Sequence, residues 1–441
     1  MSEFPWRHWQ RGLATAAAAG AFLLAAAAHL TGHHAAVAQP SPDDAPPSRF
    51  SDAAEAAYRD RYQDLLKAFR AGAGLPDYDP LEEVAGWEQA ALPVAEPDTR
   101  TIDAGALDKA AAYAAANNSS AFLVWRKGRL EYAQYFGDAT RTTPLVSKSL
   151  AKPVTAVLVG RAIQQGHLDG LDQPAVDLIT EWQGDPQRSL IKVRHFLDMR
   201  SGFLRQSLAS GPDSVLNRAY LHPFHVQVII HEYPLTHEPG TRYEYANATS
   251  EMIAPVIKRA TGRRYADYLS EALLKPLGAM GGDIWVNREG GTAHSGCCVM
   301  LPAETWMRLA VLLLNDGVWQ GRRLLPVGYV DEMRTGTPQN PYYGLGVWLA
   351  GRYTERRGFA HPDTDMAQVL HSAPYRAGDL FLFDGNSNQV VYIVPSERLV
   401  VLRTGGDPRK DPEWDNSFLP NVILAGIRHG PGEDPPAPQA R

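Results

Sequence analysis

Cysteine is nearly absent: the 441 residues hold two, Cys297 and Cys298, and they are adjacent. That excludes a disulfide scaffold and any Cys-rich zinc module. Bridging two neighbours strains the ring, so two small buried thiols are expected. A basic excess is lacking too. With 43 Lys and Arg against 49 Asp and Glu, the net charge is −6, which leaves no electrostatic footprint for nucleic acid or anionic lipid. Several catalytic strings are missing: there is no G-x-S-x-G, no S-D-N, and no H-E-x-x-H or H-x-H-x-D. No internal repeat is found either. Apolar mass is plentiful, at 44% hydrophobic against 21% charged, enough to bury a large core without cross-links.

The N-terminus points to a compartment. Arg7 and Arg11 precede an uncharged, mostly alanine stretch from Leu13 to Leu30, followed by Ala36-Val37-Ala38. Small-x-small suits cleavage before Gln39. A retained anchor is the alternative, since the stretch approaches spanning length. Alanine is only weakly apolar and His29 interrupts the end, so a cleaved export signal over residues 1–38 is expected, and with it a periplasmic or secreted protein. No twin arginine occurs. Removal of the signal leaves 41 basic against 48 acidic side chains, a net charge of −7.

Residues 39–94 read as a Pro-rich spacer (39–48) and an N-terminal helix. Asp52 and Glu55 suggest its capping box, and Tyr58, Tyr62, Leu65, Leu66 and Phe69 recur at helical spacing until Gly72. A second helix is predicted from about Ala104 to Ala115. The apolar runs Ala121–Trp125 and Leu130–Phe136 flank Arg126-Lys127-Gly128-Arg129 as a hairpin. From Ser149 to about Gln165 the pattern is helical, with Pro153 tolerated in the first turn. Helical segments fill the middle to about residue 335. Strands return at Tyr343–Leu349, Leu380–Phe383, Val390–Val394 and Leu399–Arg403, then a short helix near Phe418–Ile427. The Pro-rich tail from Gly430 is expected to be mobile. Strands at both ends of the chain with helices between them predict one discontinuous α/β domain, with a site in the cleft between sheet and insertion.

Ser149 and Lys152 form S-x-x-K at a helix start, and three residues along a helix bring two side chains to one face. A serine hydroxyl needs a base, and lysine can serve only if burial lowers its pKa. A helix N-terminus adds free N–H groups beside a developing oxyanion. Alone, this spacing is common. Tyr245 and Asn247 add Y-x-N nearly 100 residues on: a phenol for proton transfer and an amide that can orient lysine and substrate. His222, His225, His231 and His237 lie in a Pro-flanked loop and read as surface or cleft-lining groups, not metal ligands. His195 reads as structural. Trp182, Trp285 and Trp348 could line a groove, although core packing is the commoner fate of tryptophan.

Together these strings resemble the serine β-lactamase-related family, which holds class C β-lactamases, DD-peptidases, family VIII esterases and 6-aminohexanoate-dimer hydrolase. Ser120-Ala-Phe-Leu-Val-Trp-Arg-Lys-Gly128, Ala162 to Asp172, Ile191 to Phe203 and Ala310 to Pro326 are similar to its segments in the same order. The resemblance covers about residues 95–430. It implies an α/β (α+β) fold: an antiparallel sheet flanked by helices (about 95–155 and 336–430) beside an all-helical lobe (about 156–335), with 431–441 as tail. It also implies Ser149 as nucleophile, Lys152 and Tyr245 as its proton partners, and Asn247 as positioning amide. The family's Lys-Thr-Gly or His-x-Gly strand is where this chain departs. The aligned stretch Asp379-Leu-Phe-Leu-Phe-Asp-Gly385 has neither lysine nor histidine, though a backbone N–H near Phe383 could still be the second oxyanion donor. The cation that would hold a β-lactam or peptide carboxylate is lost. A serine hydrolase of linear esters or amides is therefore expected, needing no metal or organic cofactor and binding a small molecule. A β-lactamase or DD-peptidase is the first alternative, and a non-catalytic binding protein on the same scaffold the second.

Overall fold

The computed structural model describes residues 50–70, 79–87, 90–206, 211–358 and 368–441. The export-signal and spacer readings, on residues 1–48, lie outside the described residues.

The strands from both ends of the chain meet in one six-stranded antiparallel sheet. Its order is Arg129–Tyr135, Ser119–Arg126, Leu399–Gly405, Gln389–Val394, Phe381–Gly385 and Trp348–Leu349. The central strands are buried on both faces, which is why they read as unbroken apolar runs and not as alternating ones. One face carries Phe122, Val124, Val390, Tyr392 and Val401 against the helices Ala104–Ala116 and Phe418–Ala425. The other carries Leu123, Val391, Ile393, Val400 and Leu402 toward the helices Ala151–Gln164 and Ala303–Leu314. Pairing is in register from Val390↔Arg403 to Val394↔Leu399, and from Leu399↔Arg126 to Arg403↔Phe122. Asp103 caps the helix Ala104–Ala116, accepting from Gly105 N and Ala106 N.

A smaller four-stranded sheet, ordered Leu81–Val84, Gly282–Trp285, Val299–Leu301 and Leu145–Val146, sits at the start of the nucleophile segment. Its first strand lies before residue 95, so the folded unit begins earlier than the family resemblance implied. The helix Asp52–Arg70 is also part of it. Tyr58, Tyr62 and Leu65 pack on Leu221, and Arg218 holds Glu55 through two hydrogen bonds of 2.9 and 3.0 Å. Glu55 is thus turned away from the expected capping box. Ser51 starts the helix instead, its Oγ accepting from Ala54 N at 3.3 Å.

Two further expectations fail. The tail at 431–441 is docked: the Gln439 side chain is buried and donates to Ala350 O, while its Oε1 accepts from Tyr375 N at 2.9 Å. Proline content excludes helix and sheet there, but it does not stop a buried amide from pinning the chain. Cys297 and Cys298 are buried as expected, yet they are joined in a vicinal disulfide. Both pack against Trp285 and Tyr220. No helix among the described residues is long and apolar enough to cross a membrane.

Candidate active site

Ser149 sits in a single 3-10 turn, Lys148–Leu150, that runs directly into the helix Ala151–Gln164. Lys148 before it has φ of 49°, a left-handed conformation that costs a side-chain-bearing residue about 1–2 kcal/mol. The cost is met by strapping: Ser147 N donates to Val299 O at 3.1 Å, and Val299 N donates to Ser147 Oγ at 3.1 Å. The turn therefore presents the half-buried Ser149 hydroxyl at a fixed angle.

Lys152, one helical turn on, is 2% exposed. Its Nζ donates to Ser149 Oγ at 3.1 Å, Asn247 Oδ1 at 2.9 Å and Gly296 O at 2.7 Å. Three acceptors use all three ammonium hydrogens. The Tyr245 phenol donates to the same Ser149 Oγ at 2.9 Å, and its ring lies 4.9 Å from Nζ. Ser149, Lys152, Tyr245 and Asn247, read from two strings nearly 100 residues apart, are thus brought into one hydrogen-bonded cluster. Burial lowers the Lys152 pKa to about 7, against the opposing charge of Glu251. Burial raises that of Tyr245 above the ordinary phenol; the Ser149 hydrogen bond opposes this and the Asp384 charge adds to it. At neutral pH the lysine can lose its proton and the tyrosine cannot.

The strand beside the nucleophile approaches at Gly385. A Cβ there would lie 3.0 Å from both Ser149 N and Ser147 O. Phe383, two residues earlier, buries its ring in the core at 0% exposure, about 7 Å back along the strand. Its neighbour Asp384 points to the opposite face, near enough to Tyr245 for its charge to act on the phenol. Asp384 is buried, its carboxyl is pushed up to about 7 by burial against the Arg357 charge, and Asn416 Nδ2 lies 3.4 Å away.

Sequence reasoning did not single out Gly296, Asp384, Gly385 or Glu251. A backbone carbonyl such as that of Gly296 has no residue-type signature. Asp384 and Gly385 stood in the aligned stretch but were overshadowed by the missing lysine. The histidine reading needs correction: His222 and His225 are fully buried at 0% exposure, because the Pro-flanked loop folds inward as the helices Val215–Leu221 and His225–His231. His231 is exposed and His237 half-buried. His195 is structural, its Nδ1 accepting from Lys192 N at 3.2 Å. Trp182, Trp285 and Trp348 are all core residues.

A model of the beta-lactamase family matches residues 107–405. The 6-aminohexanoate-dimer hydrolase of Paenarthrobacter ureafaciens is 26% identical over 258 residues, which is 54% of this chain. The match spans 63% of that enzyme, less than two thirds of its length. Among solved structures, a candidate 6-aminohexanoate-dimer hydrolase of Bacillus anthracis superposes with a TM-score of 0.60 at 19% identity, covering 79% of this chain and 90% of the other. EstCE1, a hydrolase with promiscuous acyltransferase activity, gives 0.54 at 17% identity, covering 74% and 97%. The antiparallel sheet flanked by helices expected from the sequence is the fold these proteins share, but the expected all-helical lobe at about 156–335 is not all helical, since the strands Gly282–Trp285 and Val299–Leu301 lie within it. The chain belongs to the beta-lactamase family of hydrolases.

Proposed function

We propose that this protein is a serine hydrolase that cleaves a linear ester or amide through an acyl-Ser149 intermediate. The carrying observation is that Lys152 Nζ and Tyr245 OH both meet Ser149 Oγ, at 3.1 and 2.9 Å. When Lys152 is neutral, two of its N–H bonds can stay with Asn247 Oδ1 and Gly296 O, leaving its lone pair for the serine proton. Ser149 Oγ then attacks the carbonyl carbon, and Lys152 takes the proton. The tetrahedral oxyanion is held by the Ser149 N–H and by backbone N–H at the Gly385 end of the adjoining strand, a shift from Phe383 that the packing favours. The departing alkoxide or amine takes a proton through Tyr245, which is refilled from Lys152. Water repeats the sequence on the acyl-serine, its proton going to the same pair and Ser149 regaining its own.

The stretch Asp379–Gly385, which aligns with the family's lysine-bearing strand, holds no cation to pair with a substrate carboxylate, which weighs against a β-lactam or peptide C-terminus as the natural ligand. The named activities of the relatives, on an aminohexanoate dimer and in acyl transfer, lean the same way. We place the enzyme outside the cytoplasm, on the strength of the export-signal pattern at residues 1–38. A screen of short-chain esters, linear amides and a chromogenic cephalosporin tests the substrate class. Esters or linear amides are expected to turn over; hydrolysis of the cephalosporin alone would overturn it.

Two further outcomes are expected. Because activity needs neutral Lys152 with a pKa near 7, kcat/KM should rise about tenfold per pH unit below pH 7 and level off above it. A rate flat from about pH 5 to 9 would exclude Lys152 as base. Gly385→Ala should lower kcat about 10²-fold, with a fall of a few degrees in melting temperature, because the methyl pushes the buried strand off Ser149 N. Steady-state kinetics with a calorimetric scan checks it.

A further inference from the structure

Behind Lys152 lies a cluster that the proposed chemistry does not use. His225, Glu251 and His294 are each 0% exposed, and one ligand atom from each lies within 4.8 Å of the others. His225 Nε2 is 3.6 Å from Glu251 Oε2, and His294 Nδ1 is 3.7 Å from Glu251 Oε1. Those separations are too long for hydrogen bonds. Apart from these contacts, no hydrogen-bond partner is found among the described residues for either nitrogen of His225, either nitrogen of His294 or either oxygen of Glu251. His225 Nε2, His294 Nδ1 and the two Glu251 oxygens thus come together in the interior without a normal hydrogen bond, and such groups ask for an ion or water to satisfy them.

We propose that His225, Glu251 and His294, with a water as the fourth ligand, form a structural zinc site. Two imidazoles and a carboxylate are a borderline donor set that zinc favours over hard cations. Bonds of about 2.0–2.1 Å in a tetrahedron put neighbouring ligand atoms about 3.4 Å apart, close to the separations present. Trp285, His294 and His225 stack in series, with centroids 3.6 and 3.9 Å apart and the two imidazoles 13° from parallel. Coordination asks these two rings to tilt toward the carboxylate so that their lone pairs converge.

The place of the cluster gives it a purpose. Glu251 ends the helix Asn247–Glu251, one turn after the amide that holds Lys152. His294 lies two residues before Gly296, whose carbonyl holds Lys152 from the other side. Helix and loop are already strapped by Ser295 Oγ donating to Ser250 O at 2.9 Å. They approach so closely that a Cβ on Gly296 would lie 2.2 Å from Ser250 Oγ. An ion joining Glu251 to His294 would clamp two of the three acceptors of Lys152, Asn247 Oδ1 and Gly296 O, at once. It would touch no reacting atom, so its role is to position them.

The test is metal content by plasma mass spectrometry on the full chain, incubated with zinc chloride and then desalted. Wild type and Ser149→Ala should each hold about one zinc per chain, and Glu251→Gln and His294→Ala under about 0.1. Cobalt(II) in place of zinc should show the ligand-field absorption of a tetrahedral site in wild type and lose it in both variants. Wild type that retains under about 0.1 equivalent, or folded Glu251→Gln and His294→Ala that keep a full one, would overturn the proposal. If either variant fails to fold, the wild-type value decides. A metal-free wild type that still turns over ester would remove the zinc site and leave the serine mechanism standing.

Discussion

Ser149→Ala is expected to lower turnover at least about 10⁴-fold while leaving the melting temperature unchanged. That loss corresponds to about 5.5 kcal/mol of transition-state stabilisation, the scale for removing the atom that forms the covalent bond. The hydroxyl is half-buried and small, so its removal opens no significant cavity. Lys152 keeps Asn247 Oδ1 and Gly296 O as acceptors, which is why the fold should be indifferent. Residual activity would then come from backbone donors and substrate positioning alone. Activity within about tenfold of wild type would remove Ser149 from the mechanism.

Lys152→Met is expected to cost about 10³–10⁴-fold in kcat/KM, the upper range for a lost general base. Lys152→Arg should fail as badly, because a guanidinium stays charged and cannot take the serine proton. The stability signs differ from the activity signs. Burial holds the Lys152 pKa near 7, below the ordinary lysine value of 10.5. The folded state therefore binds fewer protons than the unfolded chain between those pH values. The resulting destabilisation is complete below about pH 7 and fades as pH rises toward 10.5. Methionine removes that burden but leaves Asn247 Oδ1 and Gly296 O without their donor, at about 1–3 kcal/mol each. The two effects oppose, so the melting temperature should move by only a few degrees, read by calorimetry. Near-normal activity in either variant would sink the role assigned to Lys152.

The sheet was legible where burial is two-sided. Gln389–Val394 and Leu399–Gly405 are covered on both faces, and unbroken apolar runs mark such strands within a residue or two. The run at Tyr343–Leu349 shrinks to Trp348–Leu349, because glycine serves close approach there and not pairing. Gly346, at φ of 73°, donates to Leu197 O and lies so near Lys152 O that a Cβ would be 2.7 Å away. Composition cannot distinguish that use of glycine from a turn. At the site, Ser149 and Lys152 were legible because helical spacing dictates their meeting. Their meeting with Tyr245 needs tertiary folding: the Y-x-N string suggested it and the family resemblance implied it, but no local spacing dictates it. Gly296 contributes a carbonyl and Gly385 a missing side chain, so neither carries a chemical signature. The buried histidines were misread for a related reason: proline near a helix suggests a surface loop, and nothing local says that Glu251 waits inside for His225 and His294.

The central claim is that Ser149 forms the covalent intermediate, and a serine-directed phosphonate tests it most directly. Intact-mass and peptide analysis of the treated wild-type protein should find one adduct per chain, on the peptide containing Ser149, formed faster as pH rises through 7. The Ser149→Ala protein should take up none. A wild-type chain that stays unlabelled, or an adduct on any residue other than Ser149, would contradict the account.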